Sequence, residues 1–347
     1  MRGKSIKSVL VIKLRHIGDV LITGPVFRAL KDAFPGVRTT ALIPAGTESM
    51  LDANPSVDEV MVFDRKAGLS GEAAIARRLL AGHFDVAINM TEGDRGAILV
   101  ALSGARIRIG VDPRGRGFIG KRLIYTDLIQ PLYNGRHRAA MDLDALAPLG
   151  ILVGEPRLEL FTRPEDDEYV RRLLMEKGVD AAAKVAVVHP TSRWLFKCWR
   201  EEAVAEVVDH MDGAGFRVVI TSGPDEKERA MVRRILAKTC TRPVDLSGAL
   251  TLPHLAALIK AAGLFFGVDS APMHMAAALG TPVVALFGPS DYRVWGPLSD
   301  KAVVVMKNEQ FPCVPCRKDG CDSSKKSACL DAISVEDVIA AINRMAG

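Results

Sequence analysis

Three stretches place groups capable of proton or phosphate chemistry at the ends of β-branched runs. The first, Lys13-Leu-Arg-His-Ile-Gly18-Asp19, sets a carboxylate directly after a glycine and ahead of an apolar periodic segment. A helix amino terminus there would favour the charged form, and a positioned carboxylate can take a proton from a hydroxyl. The spacing equally suits an ordinary N-cap. The second, His189-Pro-Thr191-Ser192-Arg193 with Lys197 close behind, offers two hydroxyls and two cations after the run Lys184 to Val188. That set could clamp a diphosphate. The third, Gly267-Val-Asp269-Ser270-Ala271-Pro272 with His274, runs from a strand into a helix, so that free N–H groups and the positive helix end would face an anion. Pro272 suits the first helical turn, where its missing N–H costs little. Each of these residues also has a plainer reading: Asp269 as a helix cap, Lys197 as a solvated lysine, and His274, between Met273 and Met275, as a core histidine.

The elements that must position these groups follow from hydrophobic periodicity. Ser8 to Leu14, Arg38 to Ile43, Val57 to Phe63 and Phe84 to Asn89 read as strands, with helices over Asp19 to Phe34 and Gly71 to Ala81. The pattern then starts afresh with strands at Lys184 to Val188, Phe216 to Ser222, Val244 to Leu246, Leu264 to Val268 and Val283 to Phe287. Helices are expected at Glu201 to Ala214, Asp225 to Thr239, Leu252 to Ala262 and Ala271 to Leu279. Alternating strands and helices specify an α/β fold of two Rossmann-like, doubly wound lobes. The expected division is residues 1–164, residues 165–333, and a closing helix within 334–347 of the kind that packs back on the first lobe in two-lobed architectures. Ser334-Val-Glu-Asp337 resembles the capping signal of that helix. A dehydrogenase is excluded, because its dinucleotide turn needs Gly-x-Gly-x-x-Gly after the first strand, whereas here one glycine is followed by a carboxylate.

A chain of 347 residues exceeds the usual size of one core, and 48% hydrophobic with 25% charged residues is ordinary for a globular protein. Lys13, Arg15 and His16 interrupt the amino-terminal apolar run before it reaches signal-sequence length. No segment approaches the ~20 apolar residues of a membrane span, so a cytoplasmic protein is expected. The net charge of +5 is concentrated: Arg95 to Arg138 holds nine basic residues against two acidic ones. With Gly115, Gly117 and Gly120, that segment reads as a flexible basic loop facing a polyanion, the alternative being a solvated surface. No nucleic-acid motif accompanies it, so no nucleic-acid partner is expected. Cys313-x2-Cys316-x4-Cys321-x7-Cys329 has close pairs that would admit a structural zinc, though the second pair is not a knuckle; free thiols are the alternative. No catalytic metal or cofactor is implied.

The wording of these stretches resembles a known family. His189-Pro-Thr-Ser-Arg-Trp-Leu-Phe-Lys197-Cys-Trp199, Gly267-Val-Asp-Ser-Ala-Pro-Met-His274, Pro282-Val-Val-Ala-Leu-Phe-Gly288 and the opening Ile12 to Pro25 are similar to the ADP-heptose:lipopolysaccharide heptosyltransferases. The Phe196–Trp199 and Val268–Pro272 wording is nearest the heptosyltransferase III group, with groups I and II, or a non-catalytic metal- or redox-binding protein, as alternatives. The resemblance covers nearly the whole chain. It implies a GT-B fold, two lobes facing a cleft, with the acceptor on the first and ADP-heptose on the second. It implies inverting transfer to the lipopolysaccharide inner core at the cytoplasmic face of the inner membrane. By the same resemblance Asp19 is the general base, and Thr191, Ser192 and Lys197 hold the diphosphate, with Lys197 aiding departure. Asp269 contacts the transferred heptose, Ser270, Ala271 and Pro272 cup the phosphates, and His274 occupies a motif position. Among several acids at Gly223 to Glu228, Glu226 is the expected ribose ligand. The resemblance fixes no position in the basic segment; from its charge alone, Arg114, Arg116, Lys121 and Arg122 are the expected acceptor contacts.

Overall fold

The computed structural model describes residues 6–130 and 135–346. The chain divides into two compact units, Met1–Phe161 and Thr162–Gly347, so the division falls a few residues ahead of the expected one.

The first lobe runs β1 (Ser8–Ile12), α1 (Ile17–Ile22), α2 (Gly24–Ala33), β2 (Arg38–Pro44), β3 (Glu59–Phe63), α3 (Gly68–Ala81), β4 (Val86–Asn89), α4 (Asp94–Leu102), β5 (Ile107–Val111), β6 (Asp127–Ile129) and α5 (Arg138–Leu143). All strands are parallel, in the order β3-β2-β1-β4-β5-β6. β1 is buried along its whole length, as expected of a central strand covered by helices on both faces. Leu10, Ile12, Leu42, Phe63, Leu79, Ala97 and Val100 form the core beneath them.

Two expectations need correction. The helix expected over Asp19 to Phe34 is broken into α1 and α2 at Thr23. Pro25 has no N–H to continue the ladder, and the Thr23 hydroxyl turns back onto the Asp19 carbonyl at 2.9 Å. The basic segment is not one flexible loop: it contains α4, β5 and β6. Ile107-Arg108-Ile109 alternates as a strand should, and the Arg108 guanidinium donates to the carbonyls of Ile124 and Ala105. Arg95, Arg136 and Arg138 likewise have carboxylate partners in Glu72, Asp144 and Asp142. Among the described residues its longest irregular stretch is 112–120, followed by a 3-10 turn, Lys121–Ile124.

The second lobe runs α6 (Pro164–Glu176), β7 (Val185–His189), α7 (Glu201–Gly213), β8 (Arg217–Ile220), α8 (Glu226–Leu236), β9 (Val244–Asp245), α9 (Leu252–Ala261), β10 (Leu264–Val268), α10 (Ala271–Leu279), β11 (Val283–Leu286), α11 (Tyr292–Trp295), β12 (Ala302–Val305), α12 (Ala328–Asp331) and α13 (Val335–Ala346). Its parallel sheet, β12-β11-β10-β7-β8-β9, repeats the strand order of the first. In each lobe, therefore, the first strand (β1 or β7) lies beside the fourth (β4 or β10), and the winding direction reverses between them. Ligands of such sheets bind beyond the carboxyl ends of the strands at that reversal.

The closing helix α13 starts at the expected cap. The Ser334 hydroxyl accepts from the Asp337 N–H, and the Asp337 carboxylate accepts from the Ser334 N–H at 2.9 Å. Val338, Ala341 and Ile342 bury their side chains in the second lobe's own core.

Candidate active site

In the second lobe the two predicted turns meet across the reversal point. β7 ends at His189 and β10 at Val268, in register with Gly267 opposite His189. A Cβ on Gly267 would lie 2.7 Å from the His189 carbonyl oxygen, so only glycine admits this approach of the two strand ends. Lys197, on a short 3-10 turn after the His189 to Arg193 loop, reaches back to place its ammonium 2.6 Å from the Asp269 carboxylate. The pair is only partly screened: the Lys197 side chain is 22% exposed and that of Asp269 8%. One of three ammonium donors is thereby engaged.

Behind this pair Thr191 is fully buried and its hydroxyl donates to Glu228 at 2.7 Å. The Gly223 N–H donates to the same carboxylate oxygen at 3.2 Å, and a Cβ on Gly223 would collide with that carboxylate at 2.8 Å. The acid at the strand ends is thus Glu228. Glu226 lies on the exposed side of α8, where its carboxylate pairs with Arg229 and Arg233. The Ser192 hydroxyl accepts from the Trp194 N–H. Ser270, Ala271 and Pro272 form the amino-terminal end of α10, whose cap residue Ser270 turns its hydroxyl to the Val268 carbonyl rather than onto the helix. The first N–H groups of α10 consequently have no side-chain cap. His274 is buried within α10, and Trp199 packs edge-on to Phe266 in the core.

His189 is neutral in this setting. Complete burial holds its imidazole down at about 4, and Nδ1 lies 2.9 Å from the Thr221 hydroxyl. Between pH 6.5 and 4 the unfolded chain takes up a proton that the folded chain refuses, so stability falls as pH falls through that window. Wild type should lose about 3 kcal/mol more unfolding free energy between pH 7 and pH 4 than a His189→Gln variant, by urea titration. Parallel pH profiles would remove the effect from His189.

In the first lobe, α1 begins beyond the carboxyl end of β1, also beside the reversal point. Asp19 is the third residue of α1 and not its cap, which is His16. Among the described residues no hydrogen bond or ion pair holds its carboxylate, and it is half-buried. Beneath it Lys13, 1% exposed, is clamped to Asp142 at 2.6 Å, and Asp142 also accepts from Arg138 at 2.9 Å. Burial pushes the Lys13 ammonium below its ordinary range and Arg138 adds to that, while Asp142 and Asp19 oppose it. The expected acceptor contacts separate into two kinds. Arg114, Arg116 and Arg122 are exposed and, among the described residues, their guanidinium groups have no ion-pair partner. Arg114 and Arg116 line a small cavity with Asp112 and Gln130 beyond the ends of β5 and β6. Lys121 instead is buried, 2.6 Å from the Glu92 carbonyl and 3.0 Å from Asp94, so its charge is engaged within the lobe.

Residues 73–327 match the sequence model of glycosyltransferase family 9 (heptosyltransferase). The chain belongs to this family. It is 34% identical to lipopolysaccharide heptosyltransferase 3 of Escherichia coli over 96% of its own length and 97% of that protein's. Among solved structures it is similar to a family 9 glycosyltransferase of Veillonella parvula, with a TM-score of 0.86 and 26% identity over 99% of this chain and 97% of that one. It also shares the fold of the ADP-heptose lipopolysaccharide heptosyltransferase II of Escherichia coli, with a TM-score of 0.77 and 20% identity over 98% of both chains. The fold is the GT-B arrangement of two Rossmann-like lobes, and the protein is a glycosyltransferase.

The cysteine segment borders this site, where the Ser327 hydroxyl donates to the Phe196 carbonyl beside Lys197. Cys313 and Cys321 are exposed, Cys329 is buried with its thiol pushed up to about 11, chiefly by burial, and all four are free thiols. Among the described residues no group of three or more metal-capable side chains gathers, so the zinc reading finds no support. Among the described residues no helix is long and apolar enough to cross a membrane.

Proposed function

We propose that this family 9 glycosyltransferase transfers L-glycero-D-manno-heptose from ADP-heptose to the lipopolysaccharide inner core, in the manner of a heptosyltransferase III. The observation that carries the reading is the Lys197–Asp269 pair at the second lobe's reversal point, with the uncapped end of α10 beside it. A cation and the positive end of an uncapped helix suit a diphosphate, and a buried carboxylate suits sugar hydroxyls. Thr191 and Ser192 lie on the same turn. Glu228, rather than Glu226, is the acid placed to accept from a ribose hydroxyl.

In this mechanism Asp19 removes the proton of the acceptor hydroxyl as its oxygen attacks the anomeric carbon. The bond from that carbon to the diphosphate oxygen breaks with inversion, and ADP leaves with the bonding pair. Lys197 and the α10 N–H groups stabilise the charge that gathers there. Arg114, Arg116 and Arg122 hold the anionic acceptor, and the protein works at the cytoplasmic face of the inner membrane. Lys121 supports their turn from within.

Incubating the protein with ADP-heptose and core oligosaccharides of defined truncation should yield one product heavier by a single heptose. Replacing Arg114, Arg116 and Arg122 together with Ser should raise the acceptor KM several-fold at low salt, flatten its salt dependence and leave the donor KM unchanged. An unaltered acceptor KM would return these arginines to a solvated surface, and a product lacking heptose would overturn the assignment.

A further inference from the structure

Between β5 and β6 the chain exposes large apolar side chains on an ordered turn. Ile119 is 103% exposed, Leu123 84% and Phe118 40%, an unusual density for eight consecutive residues from Arg116. They are not exposed because the turn is loose. The Lys121 N–H donates to the Phe118 carbonyl and the Leu123 N–H to that of Gly120. The Lys121 side chain pins the turn to Glu92 and Asp94. Packing inside the lobe therefore directs Ile119 and Leu123 outward.

The charges of the segment itself are equally one-sided, the neighbouring Asp94 being paired with Lys121 and Asp112 accepting from the Arg114 N–H. Arg114, Arg116 and Arg122 interleave with the apolar residues, and no carboxylate occurs from Pro113 to Thr126. A soluble surface normally scatters its apolar residues singly and balances its cations, so the combination calls for a partner that is apolar within and anionic at its edge. A free phosphate would use the arginines but leave Ile119 and Leu123 in water. A bilayer with acidic headgroups satisfies both, accepting apolar side chains below the headgroups while the arginines stay among the phosphates.

We propose that the turn from Phe118 to Leu123 is the element by which this protein docks on an anionic membrane, Ile119 and Leu123 entering the bilayer and Arg114, Arg116 and Arg122 remaining at its phosphate layer. This rests on the reading of the acceptor as a membrane lipid, and names the surface that brings the protein to it.

The test uses vesicles that contain no acceptor, made of phosphatidylethanolamine with phosphatidylglycerol, beside vesicles of phosphatidylcholine alone. The wild-type protein should sediment with the first and not the second. An Ile119→Ser, Leu123→Ser double variant should bind the acidic vesicles at least about tenfold more weakly, yet keep its kcat/KM on a lipid-free core oligosaccharide within about twofold. Wild type that stays in the supernatant, or a double variant that binds as wild type does, would overturn the proposal. A parallel loss of activity on the lipid-free acceptor would also overturn it, placing the two side chains in a protein–sugar contact instead. Failure of the acceptor reading is seen separately, as an unchanged KM of the arginine variant on that lipid-free acceptor.

Discussion

Replacing Asp19 with Asn should lower the transfer rate by about 10² to 10⁴ while leaving ADP affinity intact. The substitution conserves shape, and Asp19 is neither the cap of α1 nor, among the described residues, a partner in an ion pair, so helix and core lose little. The amide, unlike the carboxylate, cannot take a proton from an attacking hydroxyl. The nucleotide residues proposed above lie in the other lobe, which is why binding and turnover should part company. Calorimetric titration of ADP beside a saturating-substrate kcat measures both. An Asp19→Asn enzyme with near wild-type turnover would remove Asp19 from the role of base; lost ADP affinity would mean that the two lobes are not divided as proposed.

The second-lobe site was largely legible because its parts are contiguous. Thr191 to Lys197 and Asp269 to Pro272 each follow a β-branched run, and strand-end position alone put both at one edge of one sheet. What pairs with what was not legible. Glu226 and Glu228 are two residues apart, and at about 100° per residue they face different sides of α8. Only the placement of Thr191 and Gly223 shows that Glu228 reaches the strand ends. In the first lobe, charge counting grouped Lys121 with Arg114, Arg116 and Arg122 and read the nine cations as one loop. Burial separates them: Lys121 serves the turn, Arg108 and Arg138 serve the fold, and Arg114, Arg116 and Arg122 face outward. The strand β5 was hidden by the same charges, since Arg108 interrupts its apolar run, and β6 by its length of three residues. Asp142, the buried partner of Lys13, lies 129 positions away in sequence, beyond the reach of any local pattern.

The same long-range pairing sharpens what Lys197 should do. With its ammonium 2.6 Å from Asp269, the lysine is held at the carboxyl end of β10 before any substrate arrives, and two of its donors remain for a diphosphate. In the proposed mechanism its attraction for the leaving group grows as the glycosidic bond breaks, so it would stabilise the transition state more than the bound donor. Lys197→Ala should therefore lower kcat by about 10² to 10³ and raise the donor KM much less. Lys197→Arg should restore only part, because a planar fork does not reproduce a compact charge at this spacing. Part of the loss in Lys197→Ala comes from leaving Asp269, nearly buried, as an unneutralised carboxylate beside an anionic donor. In an Asp269→Asn background that repulsion is gone, so the same lysine deletion should cost distinctly less than in wild type. The double-mutant cycle on kcat/KM for the donor measures that difference. Additive effects would mean that the pair does not act as a unit. A Lys197→Ala enzyme with both constants within about twofold of wild type, a change in kcat/KM below about 0.8 kcal/mol, would leave the departing diphosphate to the amino-terminal end of α10 alone.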